Sequence, residues 1–216
     1  MENIINNDLD EYNYCSRKKC GKIECKRNII HSIYKKNFSC NKYYNSHDCL
    51  ITNKMDKHSI KIVEDDIKNA DADIIAHQVN CVGVMGSGVA KVLRTQYPEI
   101  FPPYDKYCKL WGHSKLMGKI QTIKLKNENS KSKYICNMFA QRGYGRDKQY
   151  TDIDCLANCI FKIHNFAKEN NLKTIAMPFG VGCGRGGADW NLVYEILLNV
   201  FSDDIQLILY KKVENL

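Results

Sequence analysis

Short apolar runs alternate with longer amphipathic stretches through the chain after Ser59. The runs are rich in Ile, Val and Leu and are bounded by polar or glycine-containing turns, a pattern typical of strands buried in a sheet. The predicted strands are 60–63, 74–79, 120–125, 134–139, 174–178 and 205–210.

Apolar positions repeating at i, i+3, i+4 and i+7 predict three helices between these strands. One covers 89–97 and is stopped by Pro98, and another covers 189–201. A third opens at Thr151, three residues before Asp154, a spacing similar to a capping box. Its core-facing positions are Ile153, Leu156, Ala157, Ile160, Phe161 and His164.

Strands that alternate with helices are typical of a layered α/β domain. We therefore expect residues 59–216 to form a three-layer α/β/α domain with a mixed sheet of about six strands. In such sheets ligands bind at the carboxyl ends of the strands. The length of 216 residues accommodates one such domain with an appendage.

Residues 1–58 sustain neither helical nor strand periodicity and form an N-terminal extension of unknown role. Two interpretations stay open, a weakly ordered extension and a zinc site, because zinc takes four Cys or His donors. The four-residue gaps between the first three cysteines do not match the usual CxxC spacing. The candidate zinc ligands are Cys15, Cys20, Cys25, Cys40, Cys49, His31 and His47.

The formal net charge of +8 is spread along the chain without a long basic run, which favours a solvated lysine-rich surface over a nucleic-acid-binding patch. No segment approaches the ~18 apolar residues that cross a bilayer. The N-terminus also lacks the basic and apolar regions of a signal peptide. We expect a cytoplasmic protein with no membrane partner, in which the eleven cysteines are mostly thiols.

Two glycine-rich loops, 83–88 and 180–187, each join a predicted strand to a predicted helix. Glycine lets a backbone approach a ligand closely, and a helix N-terminus offers unpaired N–H groups with partial positive charge. The two loops therefore predict two anion cradles that could face one diphosphate. Neither loop matches the dinucleotide-binding pattern, which is GxGxxG followed by an acidic residue at a set distance, and neither contains the P-loop motif GxxxxGK(S/T).

These segments resemble the macro domains, a family that binds ADP-ribose. VEDDI at 63–67 is similar to the family's opening strand, and DIIAHQVN at 73–80 to its second strand. GSGVA at 86–90 is similar to its first glycine loop. GCGRGGADW at 182–190 resembles the GCGxGGxDW phosphate loop of one clade, which includes glycohydrolases that remove ADP-ribose and proteins that process ADP-ribose 1″-phosphate.

The resemblance implies a ligand, ADP-ribose or a derivative, and a contact for each of its parts. ADP-ribosylated macromolecules are a further class of partner that it implies. No cofactor and no metal ion are expected. The implied contacts are Asp66 and Ile67 with adenine, Asn80, Gly86, Ser87 and Gly88 with the distal ribose, and Val181, Gly182, Cys183 and Gly184 with the diphosphate.

Two features of catalytic members of the family are missing. Glycohydrolases of the clade resemble one another in a lysine that attacks the distal ribose, whereas this chain has Ala140 and Gln141 at that strand end. Another group uses an aspartate after the first glycine loop, where this chain has Ala90 and Lys91. Gln141 is kept as a ligand contact near the distal end. The candidate catalytic residues are Asn80, Asp189 and His77.

Structural roles compete with these chemical ones. Asp189 precedes a predicted helix, where aspartate is a favoured N-cap. His77 lies in a predicted strand, where a buried histidine competes with a general base. The loop 141–150 is basic and contains two hinge glycines, Gly143 and Gly145, and it either closes over a terminal phosphate or is a solvated surface loop.

The resemblance and the missing lysine together favour a metal-independent hydrolase that converts ADP-ribose 1″-phosphate to ADP-ribose and phosphate. Two alternatives stay open. One is removal of ADP-ribose from protein or nucleic acid, and the other is a non-catalytic ADP-ribose reader.

Overall fold

The computed structural model describes residues 4–5, 60–126, 132–201 and 205–213 of the chain. The expectations for residues 6–59, including the zinc alternative at their cysteines and histidines, lie outside these ranges. The domain boundary predicted near Ser59 therefore stays a prediction.

Within these ranges seven strands form one sheet, and six of them are the predicted ones with ends shifted by at most two residues. The strand 134–139 extends to Gln141, and the strand 205–210 begins at Gln206. The strands are β1 (Ile4–Ile5), β2 (Ile60–Val63), β3 (Ile74–Asn80), β4 (Ile120–Lys124), β5 (Tyr134–Gln141), β6 (Thr174–Pro178) and β7 (Gln206–Tyr210).

The sheet is mixed, as predicted, and its order is β1-β4-β5-β3-β6-β7-β2. The five strands from β5 to β2 in this order are parallel, whereas β4 is antiparallel to both β5 and β1. Because β3 and β6 are parallel neighbours, the loops that follow them leave the same edge of the sheet side by side. These are the two glycine loops.

Four α-helices accompany the sheet within the described ranges, and no helix there is long and apolar enough to cross a bilayer. The capping box predicted at Thr151 is wrong. The N-cap is Asp152, whose Oδ1 accepts a hydrogen bond from Cys155 N at 2.9 Å. The helices are α1 (Gly88–Gln96), α2 (Phe101–Leu116), α3 (Ile153–Glu169) and α4 (Trp190–Val200).

Helix α2 was not predicted from the sequence. It begins with Pro102 and Pro103 in its first turn, where proline is tolerated because those N–H groups have no partner in a helix. Gly112, with φ 68° and ψ 165°, interrupts it near its end. The sequence did not predict this helix, because proline and glycine are residues that usually indicate a break in a helix.

Helices cover both faces of the central strands. Ile75 of β3 and Phe139 of β5 pack with Leu93 of α1 and Tyr104 of α2 in one apolar cluster. The neighbouring residue Ile74, which points to the opposite face, is also fully buried. Helix α3 contacts β5 and α4. Parallel strands buried on both faces are the expected centre of a layered α/β domain.

Candidate functional site

The side chain of Asn80 shapes the first glycine loop. Its Oδ1 accepts hydrogen bonds from Val82 N at 3.0 Å and Val84 N at 3.2 Å, and its Nδ2 donates to Val84 O at 2.6 Å. Only 6% of Asn80 is exposed. The amide is thus committed to the loop backbone, a placement that favours a structural role over the predicted contact with ribose.

The first glycine loop ends at the N-terminus of α1. Ser87 is the N-cap, and its side chain makes no capping hydrogen bond. Gly88 adopts φ 57°, and apart from its chain neighbours and the backbone of its own helix no heavy atom lies within 4 Å of the position that a Cβ would take there. Because the first N–H groups of a helix have no acceptor within it, this end of α1 presents donors to open space.

The second glycine loop coils tightly between β6 and α4. Cys183 N donates to Gly180 O at 2.9 Å, and Gly187 N donates to Cys183 O at 2.9 Å. Gly180, Gly182 and Gly187 have φ angles of 73°, 80° and 70°, in a region that residues with a Cβ rarely adopt. The backbone conformation itself therefore requires glycine at three positions.

Gly184 differs from the other glycines of this loop because it is exposed and faces open space. Apart from its two chain neighbours, no heavy atom lies within 4 Å of its Cβ position, whereas a Cβ on Gly186 would overlap Gly182 O and the hydroxyl of Thr151. Gly186 is thus required by packing. Gly184 is not, so its lack of a side chain leaves room for a ligand.

At the other end of the predicted ligand, Asp66 caps a short 3-10 turn, Ile67–Asn69. Its Oδ1 accepts from Lys68 N at 3.1 Å, and its Oδ2 lies 4.0 Å from Lys212 Nζ. Ile67 is buried, with 4% of its surface exposed. The Asp66 carboxylate thus keeps Oδ2 directed away from its own turn.

A group of three aromatic side chains lies at the same edge, and the sequence analysis singled out neither Phe179 nor Tyr194 among them. The ring of Phe179, directly after β6, is 4.6 Å from that of Trp190, which is 5.5 Å from that of Tyr194. Phe179 N donates to Tyr210 O at 2.8 Å, and Lys211 N donates to Val63 O at 2.8 Å. These bonds align the ends of β6, β7 and β2, so Phe179 and Asp66 belong to one edge.

The loop 141–150 forms a third wall beside the second glycine loop. Tyr150 N and Thr151 N donate to Gly186 O at 2.8 and 2.9 Å. Inside the loop, Tyr150 donates its hydroxyl hydrogen to Asp147 Oδ1 at 2.8 Å. The loop is therefore a folded element that is attached to the second glycine loop, while its basic side chains Arg142, Arg146 and Lys148 are exposed.

Gln141 points into the protein. Its Nε2 donates to Gly143 O at 2.9 Å, and its Oε1 accepts from Gln78 Nε2 at 2.5 Å. Only 9% of the residue is exposed. Both ends of the amide are engaged, which favours a positioning role over the predicted ligand contact.

His77 is fully buried within the sheet, on the face covered by α2. Asn137 Nδ2 donates to Gln121 Oε1 at 3.0 Å, and Gln121 Nε2 donates to Pro103 O at 3.0 Å. Asn137 Oδ1 is left as an acceptor, so the His77 Nε2 that lies 2.8 Å from it carries the hydrogen. Burial lowers the pKa of His77 to about 4, although its bond to Asn137 opposes the shift. A neutral, inaccessible imidazole is poorly placed to act as a base on a ligand.

Asp189 is exposed at the junction of the second glycine loop and α4. Its Oδ1 accepts from Asn191 N at 2.9 Å, so it acts as the N-cap of α4. Its Oδ2 has no hydrogen bond within the described residues. Cys183, nearby, is half-buried, and burial together with the Asp189 charge raises its pKa to about 11, which keeps the thiol protonated at neutral pH.

The two glycine loops, the Asp66 turn and the aromatic edge thus meet at the carboxyl ends of β3, β6, β7 and β2. Within the described residues, no three His, Cys, Asp or Glu side chains are grouped to hold a metal ion. Backbone N–H groups in glycine loops of this kind are donors suited to an anion.

Comparisons with known proteins find relatives both in sequence and in fold. A DNA ADP-ribosyl glycohydrolase of Mycobacterium tuberculosis is 29% identical over 147 residues, which are 67% of this chain but only 40% of that protein. An ADP-ribose 1″-phosphate phosphatase of Meyerozyma guilliermondii is 30% identical over 161 residues, covering 62% of this chain and 91% of that protein. The solved macrodomain of Mycobacterium tuberculosis DarG superposes with a TM-score of 0.62 at 27% identity, over 70% of this chain and 96% of that chain. The family model of the macro domain matches residues 76–197, more than half of the chain, which therefore belongs to the macro domain family.

Proposed function

We propose that this protein binds ADP-ribose between its two glycine loops and hydrolyses ADP-ribose 1″-phosphate to ADP-ribose and phosphate. The observation that carries the proposal is the pair of backbone cradles on adjacent parallel strands, with open space at Gly88 and Gly184. Such N–H-rich concavities suit an anion with several phosphates.

Each part of the ligand has a matching surface. In the proposed arrangement the Asp66 carboxylate accepts a hydrogen bond from the adenine amino group, while the backbone at Ile67 lies beside it. The ring of Phe179, half-buried at the same edge, offers a face for stacking. The diphosphate lies over residues 181–184, and the distal ribose meets residues 86–88.

In the proposed reaction a water molecule attacks the terminal phosphorus, and the bond between phosphorus and the ribose 1″-oxygen breaks. Backbone N–H groups of the glycine loops stabilise the negative charge that develops on the phosphoryl oxygens. Asp189 takes the proton of the attacking water, because its Oδ2 is unengaged within the described residues and the residue is exposed. The ribose hydroxyl leaves with a proton from solvent. Asn80 holds the first loop, and we leave His77 out of the chemistry because it is buried.

The phosphatase activity is favoured by two observations. One relative that the chain matches over 91% of its length is named as an ADP-ribose 1″-phosphate phosphatase. In addition, Gln141 is no nucleophile, and its amide is turned into the protein. Removal of ADP-ribose from DNA is the second candidate, because several relatives carry that activity in their names.

One assay separates these functions. The protein is incubated with ADP-ribose 1″-phosphate, with ADP-ribosylated DNA and with ADP-ribosylated protein, and released phosphate and free ADP-ribose are measured. We expect phosphate release from the first substrate. Release of ADP-ribose from either polymer with no phosphate release would replace the phosphatase by a glycohydrolase, and binding with neither product would indicate a reader.

A further inference from the structure

Three polar side chains lie beneath the second glycine loop, residues 180–187, and connect it to the loop 141–150. We call the second glycine loop the phosphate loop, because the diphosphate lies over it in the proposed arrangement. Thr151 donates its hydroxyl hydrogen to Gly182 O at 2.7 Å. Gln78 Nε2 donates to Thr151 Oγ1 at 2.8 Å and to Gln141 Oε1 at 2.5 Å. Gln141 Nε2 donates in turn to Gly143 O at 2.9 Å. We call Gln78, Gln141 and Thr151 the amide bracket.

The direction of every hydrogen bond in the amide bracket is fixed by its two ends. Gly143 O and Gly182 O are carbonyl oxygens and can only accept, so Gln141 must present Nε2 to the first and Thr151 its hydroxyl hydrogen to the second. Gln141 Oε1 and Thr151 Oγ1 are then both acceptors. Gln78 can satisfy the two together only with its Nε2, which has two hydrogens.

This arrangement leaves one atom unsatisfied. Gln78 Oε1 is buried and has no hydrogen-bond partner in the described part of the chain. It lies 3.1 Å from the Cβ position of Gly182, so the phosphate loop closes directly over it. A buried acceptor without a partner costs free energy, about 1–3 kcal/mol. An apolar side chain at this position would avoid that cost. The benefit of the amide therefore lies in the two hydrogen bonds that its Nε2 donates, to Gln141 and Thr151.

Main-chain hydrogen bonds add to the amide bracket, and together they form a continuous seam of contacts between the loop 141–150 and the phosphate loop. Tyr150 N and Thr151 N donate to Gly186 O, and Asp152 N donates to Ala140 O at 2.8 Å. Main-chain bonds thus fasten the end of the loop 141–150 to the phosphate loop. The side chains of Gln141 and Thr151, which are 9% and 3% exposed, extend the seam toward the start of that loop and toward Gly182.

We propose that Gln78, Gln141 and Thr151 are positioning residues that set the phosphate loop and the loop 141–150 as one unit. They touch no part of the ligand and act through the carbonyls of Gly182 and Gly143. Loss of the hydrogen bonds of the amide bracket therefore changes the conformation of the phosphate loop and of the loop 141–150 together. The effect on ligand affinity rests on the proposed binding of ADP-ribose, whereas the effect on the loops does not.

The test compares matched variants of the full chain. Thr151→Val removes the hydroxyl and keeps the shape, and Thr151→Ser restores the hydroxyl. Gln78→Met removes the amide at the centre of the bracket with little change of volume. Thr174→Val is the control, since it removes a comparable hydroxyl, bonded to Asp73, at the opposite end of β6.

Amide hydrogen exchange on the ligand-free protein is measured for segments 142–151, 180–188 and the core strand 74–80. Thr151→Val is expected to accelerate exchange in 180–188 by about tenfold, the size expected from one lost hydrogen bond. Gln78→Met is expected to accelerate both loops. Thr151→Ser and Thr174→Val should leave both loops as in the parent, and exchange in 74–80 should be unchanged in every variant.

Affinity for ADP-ribose is measured on the same proteins by calorimetry. Thr151→Val and Gln78→Met are expected to bind about tenfold more weakly, with rescue by Thr151→Ser. Loop exchange at the parent rate in both Thr151→Val and Gln78→Met would overturn the proposal. The proposal would also be overturned if Thr174→Val accelerated hydrogen exchange in the loops as much as the bracket variants do. A parent protein that fails to bind ADP-ribose would remove the proposed function, while the exchange data would still decide the role of the bracket.

Discussion

Tyr104 of α2 donates its hydroxyl hydrogen to Asn80 at the end of β3, 2.9 Å from Oδ1 and 2.8 Å from the backbone oxygen. Asn80 Oδ1 in turn accepts from two backbone N–H groups of the first glycine loop. A helix that carries no ligand contact in our proposal thus stabilises the residue that shapes the loop. The buried tyrosine links the core to the site.

Tyr104→Phe is expected to loosen the first glycine loop. The change removes one hydroxyl and leaves Asn80 with fewer donors, so we expect a loss of about 1 kcal/mol in the free energy of unfolding and weaker binding of ADP-ribose. Urea unfolding and calorimetry measure the two effects. Tyr134→Phe, at the opposite end of β5, serves as the control and should not alter binding. Equal affinities for Tyr104→Phe and the parent would show that α2 does not support the site.

Acid should destabilise the protein through His77. An unfolded histidine binds a proton below about pH 6.5, whereas the folded His77 resists protonation down to about pH 4. The unfolded state therefore binds more protons in this window, and the free energy of unfolding falls as the pH drops, by up to about 3 kcal/mol. Urea unfolding between pH 7 and pH 4 should show this fall in the parent and in a variant of the exposed His113. The fall should be smaller in His77→Gln, and the same slope in His77→Gln would contradict the assignment.

Asp66→Ala is expected to weaken ADP-ribose binding by about 1.5–3 kcal/mol, the range for a hydrogen bond to a charged acceptor. The loss should be smaller for the hypoxanthine analogue, which lacks the adenine amino group. Asp66→Asn keeps an acceptor for Lys68 N and controls for the turn. Equal losses for the adenine and hypoxanthine ligands would argue against the contact.

Asp189 distinguishes a cap from a catalyst. A cap needs only an acceptor oxygen, so Asp189→Asn should keep stability within a few tenths of a kcal/mol, whereas Asp189→Ala should lose about 1 kcal/mol. A general base needs the carboxylate, so Asp189→Asn should lower phosphate release by about 100-fold while ADP-ribose still binds. If the asparagine variant turns over like the parent, Asp189 is a cap only.

The strands and both glycine loops were predictable because their signals are local. Neighbouring residues carry each signal. In the segment 174–190 a short apolar run is followed by several glycines and then by the Asp that begins a helix. The cap of α3 was misplaced by one residue, because Thr151 and Asp152 are both good caps and only the fold decides between them. Thr151 turns toward Gly182 instead.

The site's supporting contacts could not be predicted, since they join residues far apart in the chain. Gln78 meets Gln141 and Thr151 across 63 and 73 residues, and Asn80 meets Tyr104 on a helix that the sequence hid. Gln141 was predicted as a ligand contact because it ends a strand near the loops. Which side of the strand end its amide faces is decided by Gly143 and Gln78, and sequence periodicity does not contain that information.

Calorimetric titration of ADP-ribose into the parent and into Gly184→Val tests the central claim most directly. The Cβ of a valine there would meet no heavy atom within 4 Å beyond the two chain neighbours, and Gly184 does not have a positive φ. The fold should therefore be kept, which a thermal melt checks. The side chain would nevertheless occupy the space assigned to the diphosphate. We predict one ADP-ribose bound per parent chain and no detectable binding to Gly184→Val with an unchanged melting temperature. A parent that does not bind ADP-ribose, or a folded Gly184→Val that binds it as the parent does, would contradict the account.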